Sequence, residues 1–351
     1  MQSSTAIVPF QSNADDLAPV PPPGRVKGLN VHALTLLQLT QAPQRAQRAL
    51  QLASYATRRL PSGAGRPRAY ADWSILLLSL LQALWHLSQE QVVTWVAEWP
   101  TLAHCCGFEH RVISAAQYSR RLKQLGLLPY FCFFVTLVVE LVSLGVIRGD
   151  DLIIDSTFLR AWSLHDTAAG WYFKGAEAAE RYGFKVHTIL CRWSTLPVLF
   201  VVTPANWHDS RVAIPLFWTV RVLYGFTIWI VRADAAYWNY AFLGFVRHTL
   251  HATFVIDYNV RGCGKKFLAD LFFLGQWKHH LGKRSVIERF FAFAKRYYRL
   301  KYFQVMGQLK VTQHVFAVYI AMLLVAQVAH LLQHDEWMLS PARVLAHYVS
   351  L

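Results

Sequence analysis

Hydrophobic periodicity changes once along the chain, close to Gly149. Before this glycine the apolar positions recur at helical spacing, whereas after it short buried or alternating runs typical of strands stand between helical segments. The first 27 residues are rich in Pro, Ser and Gln, a composition that favours a flexible lead-in. The pattern therefore predicts a flexible segment over 1–27, an all-helical domain over 28–148 and an α/β domain over 149–351.

A helix-turn-helix pattern lies near the end of the helical part. Asp72 and Ser88 predict the starts of two earlier helices. A short helix, a turn at Gly107 and a second helix capped by Ser114 then follow in order. The second helix carries three basic side chains: Arg120, Arg121 and Lys123. These side chains favour DNA contact by the unit, although two short helices around a glycine are equally compatible with packing or dimerisation.

The second part of the chain predicts a mixed sheet covered by helices. Five strands are expected, at Leu152–Asp155, Phe184–Cys191, Leu196–Thr203, Thr227–Val231 and Thr253–Ile256. The second and third of these are close enough along the chain to form a hairpin. Helices are expected at Ser210–Tyr224, near Trp238–Leu250, around Glu288 and at Val311–Leu332. The fold class is therefore α/β, with a mixed five-stranded sheet flanked by helices.

Few acids occur in this part, and some follow strands directly. Asp155 ends the first predicted strand, and Asp234 comes a few residues after the fourth. Neighbouring strands would bring these carboxylates together, and closely spaced carboxylates need a cation, for which hard divalent ions are suited. Glu288 could supply a third ligand from its helix. Asp257 and Asp209 also follow strands and remain alternatives, although a capping or turn role is favoured for each.

The helix around Glu288 is strongly cationic. Seven Lys or Arg side chains and this single acid lie between Leu281 and Lys301. Helical spacing predicts one stripe that carries Arg284, Glu288, Lys295 and Arg299. An opposite, sheet-facing stripe is expected to contain Phe290, Phe293, Ala294 and Tyr297. A carboxylate among phosphate-seeking groups suggests a metal ligand held against a nucleic-acid backbone. An ordinary surface helix with an Arg284–Glu288 ion pair is the alternative reading.

Composition favours a polyanionic partner. The chain has 351 residues, with 35 Lys and Arg against 20 Asp and Glu, and a net charge of +15. Either nucleic acid or an anionic membrane would suit this excess. The longest apolar runs, Phe131–Ile147 and Val315–Ala326, are short of the roughly 20 residues that span a bilayer. Five cysteines, an odd number, indicate reduced intracellular thiols, and the N-terminus lacks signal-peptide character. We therefore expect buried helices and no membrane.

Several motifs in the second part occur in a characteristic order. They are Asp155-Ser156-Thr157, YGFKVH at Tyr182–His187, TPANWHDS at Thr203–Ser210, Asp234 with Tyr237, and Arg284, Glu288 and Lys295 spaced R-x3-E-x6-K. Together they resemble the DDE transposases of bacterial insertion sequences over residues 150–305. Residues 66–125 are similar to the helical N-terminal domain of those proteins.

The resemblance implies a ribonuclease-H-like catalytic core and a metal-dependent DNA nuclease and strand transferase. Asp155, Asp234 and Glu288 would be the catalytic triad that binds two Mg²⁺ ions, with Mn²⁺ able to substitute. Contacts to DNA would come from Arg284 and Lys295, and we add Arg299, Lys185 and His187 as candidates. The partners would be double-stranded transposon ends and target DNA, in a synaptic homodimer, in the bacterial cytoplasm at the nucleoid. A decayed copy that binds DNA as a repressor without catalysis is the alternative.

Two positions depart from the family pattern. Leu281 stands where the signature has a tyrosine, which puts one phosphate contact in doubt. Ala236 stands where many relatives have glycine, so the backbone there must suit an L-residue. Neither change removes a predicted metal ligand.

Overall fold

Helices make up the N-terminal part of the structure. The computed structural model describes residues 26–57, 70–172, 181–256 and 285–347. Within these ranges the N-terminal helices are α1 (Val26–Leu39), α2 (Ala42–Thr57), α3 (Asp72–Trp85), α4 (Gln89–Ala97), α5 (Pro100–Cys105), α6 (Ala115–Leu125) and α7 (Leu128–Ser143). The predicted helical N-terminal region is confirmed. Helix α1 begins just inside the segment that composition alone had assigned to a flexible lead-in.

The helix starts follow the capping signals at two of three positions. Ser88 and Ser114 both form capping boxes, in which the serine side chain accepts from the backbone three residues on. The predicted cap at Asp72 is wrong. Ala71 occupies that position, and Asp72 is the first residue of α3, where its carboxylate pairs with Arg121 of α6. The ion pair joins α3 to α6 instead of ending a helix.

One mixed sheet forms the second part. Its strands are β1 (Asp151–Arg160), β2 (Gly170–Tyr172), β3 (Arg181–Cys191), β4 (Pro197–Pro204), β5 (Ile230–Ala233) and β6 (Thr253–Ile256). The described strands number six, where the sequence predicted five. The additional strand is β2, which pairs with the start of β3 beyond the end of β4. The predicted hairpin of β3 and β4 is confirmed.

The sheet order places β1 at the centre. Strand β3 pairs with β1 antiparallel, and β5 and β6 follow on the other side in parallel. The first strand also continues five residues past its predicted end at Asp155, because Ser156–Arg160 stay paired with β3. Asp155 therefore lies in mid-strand on β1, although it lies at the end of the segment that β5 covers.

Five α-helices accompany the sheet in the described part of this half of the chain. They are α8 (Ser210–Tyr224), α9 (Tyr240–Gly244), α10 (Ser285–Tyr297), α11 (Gln308–Leu331) and α12 (Pro341–His347). Helix α8 has its predicted bounds, whereas the helix expected near Trp238–Leu250 is only α9 followed by one wider turn at Phe245–Thr249.

Helix α11 fastens the helical part to the sheet. It packs against α3, α7 and β4, and almost every side chain from Val315 to Ala329 is buried. Gln313 on this helix donates to the backbone oxygens of Leu122 and Gly126, between α6 and α7. In the described ranges α11 is the one helix long and apolar enough to cross a bilayer by itself, but 83% of its most apolar window is buried in the protein. Its hydrophobicity is that of a core helix.

A buried ion pair fixes the start of the parallel pair β1–β5. Arg232 of β5 donates from Nε to Oδ1 of Asp151 at 2.7 Å and from Nη2 to Oδ2 at 2.8 Å. Both side chains are almost fully buried. Such a two-pronged contact has one geometry, and a shift in strand register would leave both charges buried without their partner. The pair therefore specifies the register of β1 and β5.

Replacing Asp151 by asparagine should lower the free energy of unfolding by about 3–5 kcal/mol, because the buried Arg232 guanidinium would lose its two charge-assisted hydrogen bonds to the Asp151 carboxylate. Asp150→Asn is the matched control, since its pair with Arg148 lies at the surface and should contribute about 0–1 kcal/mol. Urea denaturation at pH 7 measures both. Equal, small losses for the two variants would contradict a register-setting role for the buried pair.

Candidate active site

The register of β1 and β5 brings two predicted acids together. Ile154 of β1 pairs with Ala233 of β5 in parallel, so Asp155 and Asp234 are the next residues on adjacent strands. Adjacent strands lie about 4.8 Å apart, and neighbours in register project to the same face of the sheet. Each carboxylate accepts a hydrogen bond from the amide of the following residue, and both residues are half-buried. The strand register therefore places the two predicted acids at neighbouring positions.

Tyr172 and Tyr237 both lie near the two aspartates. Burial raises the pKa of Tyr237 well above its ordinary value, and the carboxylates of Asp209, Asp155 and Asp234 raise it further. The pKa of Tyr172 is raised as well, first by burial and then by the same three acids. Both hydroxyls therefore lie within the field of one acidic centre. Asp209 belongs to this centre.

Glu288, the third predicted acid, lies on α10, which packs against β1. The helix makes this contact through a buried face of Ile287, Phe290, Phe291 and Ala294. Glu288 itself is exposed, on the side of the helix away from that face. The predicted sheet-facing stripe is correct for Phe290 and Ala294 and wrong for Tyr297, whose side chain is 42% exposed. Phe293 is half-buried and contacts the Tyr297 ring.

The donor set suits a hard divalent cation. Asp155 and Asp234 offer carboxylate oxygens from neighbouring backbone positions, the ligand type that Mg²⁺ prefers, and half-burial strengthens their need for a counter-charge. Across the described ranges, no group of three His, Cys, Asp or Glu side chains is close enough to hold a metal ion. The two aspartates therefore fit the ion, whereas the structure does not bring Glu288 into one coordination sphere with them.

Lys185 and His187, expected to contact DNA, are buried instead. Lys185 Nζ donates to Asp209 Oδ1 at 3.0 Å and to the carbonyl oxygen of Trp207 at 3.0 Å. His187 lies 2.9 Å from Thr203 Oγ1 through Nε2. Burial lowers the pKa of His187 to about 4, so the ring is neutral near pH 7. The alternation of β3 turns both side chains inward, where intramolecular partners replace phosphate.

Asp209 also departs from its expected role. It precedes α8, yet its carboxylate makes no hydrogen bond to the first turn of that helix. It accepts from Lys185 and lies 3.6 Å from Nδ1 of His187. The sequence signal for this contact was present, since Lys185 and Asp209 both stand in family-like motifs. Spacing alone did not show that the two motifs meet. Asp257, the other competing acid, lies outside the described residues.

A cationic cluster lies beside α10. Burial lowers the pKa of Lys295, and the nearby charges of Lys301 and Arg181 lower it further. Three positive groups this close repel one another, and a polyanion relieves that repulsion. Lys295 therefore lies in a locally positive part of the described structure. Arg284, the other family-signature cation, lies outside the described residues.

Arg299 does not share the stripe with Glu288 and Lys295. Helix α10 ends at Tyr297, and Arg299 takes a left-handed backbone conformation with φ of 49°. The half-buried imidazoles of His86 and His314 lie beside this segment, near the backbone of Tyr297 and of Arg299 respectively. The predicted stripe fails here because it assumed that the helix continues two residues beyond Tyr297.

The helix-turn-helix candidate has the expected elements with a different distribution of charge. Helices α5 and α6 flank a turn at Gly107, whose φ is +80°. Arg121 is taken up by Asp72 and by the carbonyl oxygen of Tyr70. Arg120 and Lys123 are exposed on α6. Of the three predicted residues, therefore, Arg120 and Lys123 are accessible to an external anion.

Comparison with known proteins bears on the same region. The sequence matches the protein-family model described as the transposase DDE domain over residues 148–324, half of the chain. The chain belongs to this transposase family. The matched range contains all three candidate acids and runs from the start of β1 into α11, and membership implies a ribonuclease-H-like fold for the sheet. Comparison with curated protein sequences finds no significant match.

Acid should weaken the packing of the segment after α10. Burial lowers the pKa of His314 to about 4, below its ordinary value of 6.5, so the unfolded chain binds more protons between these values. Stability from this group is complete above pH 6.5 and is lost as pH falls towards 4, by about 2 kcal/mol at pH 5. His314→Gln, which cannot be protonated, should flatten the pH dependence of the free energy of unfolding measured with urea. The exposed His104→Gln variant is the control. Identical pH profiles for His314→Gln and the wild type would contradict this assignment.

Proposed function

We propose that the chain is a DNA transposase that binds the terminal inverted repeats of its own insertion sequence, cleaves the ends and joins the freed 3′-hydroxyl to target DNA. The observation that supports this best is the parallel register that sets Asp155 beside Asp234, in a chain of the transposase DDE family. Paired carboxylates at this position of a sheet suit phosphoryl transfer assisted by metal ions.

The three acids have different roles in this proposal. Asp155 and Asp234 hold the magnesium site from fixed positions on the sheet. Glu288 supplies a further ligand from α10, which requires its side chain or the helix to move closer when DNA and metal bind. Two bound Mg²⁺ ions, or Mn²⁺ in their place, would neutralise phosphate charge and assist the attacking and leaving oxygens. Half-burial of the aspartates limits their hydration and holds their oxygens in one orientation.

Cations beside the acids would position the substrate. Lys295 lies on α10, the helix that carries Glu288, and the charges of Lys301 and Arg181 are near enough to lower its pKa. A phosphate backbone placed along them would lie next to the aspartate pair. Arg284 is expected to add to this contact. The cluster would thus contribute affinity that decreases with salt, without reading sequence.

The helical part is proposed to bind transposon ends. Residues 28–148 would form the DNA-binding and dimerisation domain, and residues 149–351 the catalytic domain, after a lead-in over 1–27. Arg120 and Lys123 of α6 are the exposed cations of the helix-turn-helix candidate. Two ends must be brought together for transposition, so a homodimer on DNA is proposed. The family places such a protein in the cytoplasm, at the nucleoid.

Cleavage of a labelled transposon-end duplex tests the catalytic assignment. Asp155→Asn, Asp234→Asn and Glu288→Gln should each lower the cleavage rate more than about 100-fold in Mg²⁺ or Mn²⁺, because each removes a ligand charge. Binding of the same duplex should be retained.

The control for these variants is Glu98→Gln, an exposed acid at the end of α4, which should cleave like the wild type. Equal cutting by all variants would remove the three acids from the site. Duplex binding by the wild type without cleavage in either metal would instead show a DNA-binding protein that has lost catalysis.

A further inference from the structure

Five polar side chains form a buried cluster beneath the aspartate pair. The members of this Lys185 cluster are Lys185, His187, Thr203, Asp209 and Tyr237. All but Asp209 belong to the most buried class, and the side chain of Asp209 is only 13% exposed. The proposed chemistry uses none of them directly. Burying a lysine–aspartate pair costs desolvation free energy, and such a pair is not by itself a source of stability. The burial of Lys185 and Asp209 is therefore better explained by a functional role.

The cluster is continuous from β3 to the segment after β5. Lys185 Nζ bonds Asp209, and His187 Nδ1 lies 3.6 Å from Asp209 Oδ1 and 3.4 Å from the Tyr237 hydroxyl. On the other side of the imidazole, Nε2 lies 2.9 Å from the hydroxyl of Thr203 on β4. A neutral imidazole has one donor and one acceptor nitrogen, so these contacts fix the orientation of the ring.

Tyr237 connects this cluster to both aspartates. It ends the single 3-10 turn that begins directly after Asp234, and its amide donates to the Asp234 carbonyl oxygen. Ser156, the residue directly after Asp155, is the cross-strand partner of His187, and the Tyr237 hydroxyl lies 3.4 Å from Nδ1 of that imidazole. One buried phenol thus closes the turn that follows Asp234 and contacts the histidine that pairs with the residue after Asp155.

The Tyr172 ring also contacts the Lys185 ammonium group. The ammonium lies 4.6 Å from the centre of this ring, and the other contacts of Lys185 are to Asp209 and the Trp207 carbonyl. The side chain has no route to a phosphate without breaking these contacts. Burial and partner geometry therefore argue against the DNA contact that the sequence predicted for Lys185 and His187.

We propose that the Lys185 cluster positions Asp155 and Asp234 for metal binding, acting through His187, which pairs across the strands with Ser156, and through the Tyr237 hydroxyl that contacts this imidazole. Its members are positioning residues, since none of them is placed to touch DNA. Side chains behind metal ligands commonly change metal affinity 10- to 100-fold when they are replaced. The inference rests on the proposed function, because it takes the aspartate pair as the metal site.

Mn²⁺ binding to the full-length protein, measured by isothermal titration calorimetry in the absence of DNA, tests this role. Tyr237→Phe removes only the hydroxyl and should weaken Mn²⁺ binding by about 10-fold. Tyr130→Phe is the matched control, since Tyr130 is equally buried and its hydroxyl bonds Ser79 at 2.8 Å in the helical part. Both variants lose one buried hydrogen bond, about 1 kcal/mol of stability, but only Tyr237→Phe should change the Mn²⁺ affinity.

Lys185→Met separates positioning from DNA contact. A positioning role predicts weaker Mn²⁺ binding with unchanged affinity for a duplex, whereas a phosphate contact predicts a lower duplex affinity and a salt dependence reduced by about one charge. Unchanged Mn²⁺ affinity in Tyr237→Phe, or an equal change in Tyr130→Phe, would overturn the inference. A wild type that binds no Mn²⁺ and cleaves no DNA would instead count against the proposed function itself.

Discussion

The parallel register between β1 and β5 is the constraint on which the site depends. One step along either strand would turn an aspartate to the opposite face of the sheet, because side chains alternate. Backbone pairing of Ile154 with Ala233 places the acids at neighbouring positions, and the buried pair of Asp151 with Arg232 joins the same two strands. Arg232 lies two residues before Asp234, so a nearly dry ion pair and the two half-buried acids occupy one short strand pair.

Polar burial is concentrated around this strand pair. The Lys185 cluster lies on one side of the aspartates, and the cationic cluster of Arg181, Lys295 and Lys301 lies beside α10. Charges of opposite sign therefore lie in different places: Asp155 and Asp234 where the pairing of β1 with β5 ends, a neutralised ion pair within the fold, and cations on and near the Glu288 helix. The cations would attract an approaching polyanion. The two aspartates would repel its phosphates unless a bound metal ion neutralised their charge.

The sequence predicted the architecture better than the contacts. Helix α8 has the expected bounds, and the hairpin of β3 and β4 is as predicted, because apolar periodicity determines them. The strands that precede Asp155 and Asp234 along the sheet are also neighbours, as the prediction required. Lys185 and Arg299 were placed less well. Lysine and arginine usually lie on surfaces, so composition favoured a DNA contact, and burial of Lys185 depends on Asp209, 24 residues away. Arg299 was misplaced because no residue near Tyr297 signals the helix end, which follows from contacts with His86 and His314.

The account depends most directly on where a metal ion binds. A crystal structure of the protein soaked in Mn²⁺, with anomalous scattering data, would locate the ion without reference to activity. The account predicts an anomalous peak between the Asp155 and Asp234 carboxylates, with oxygen distances of about 2.0–2.3 Å. A fully occupied ion elsewhere, with the two carboxylates turned away from each other, would contradict it.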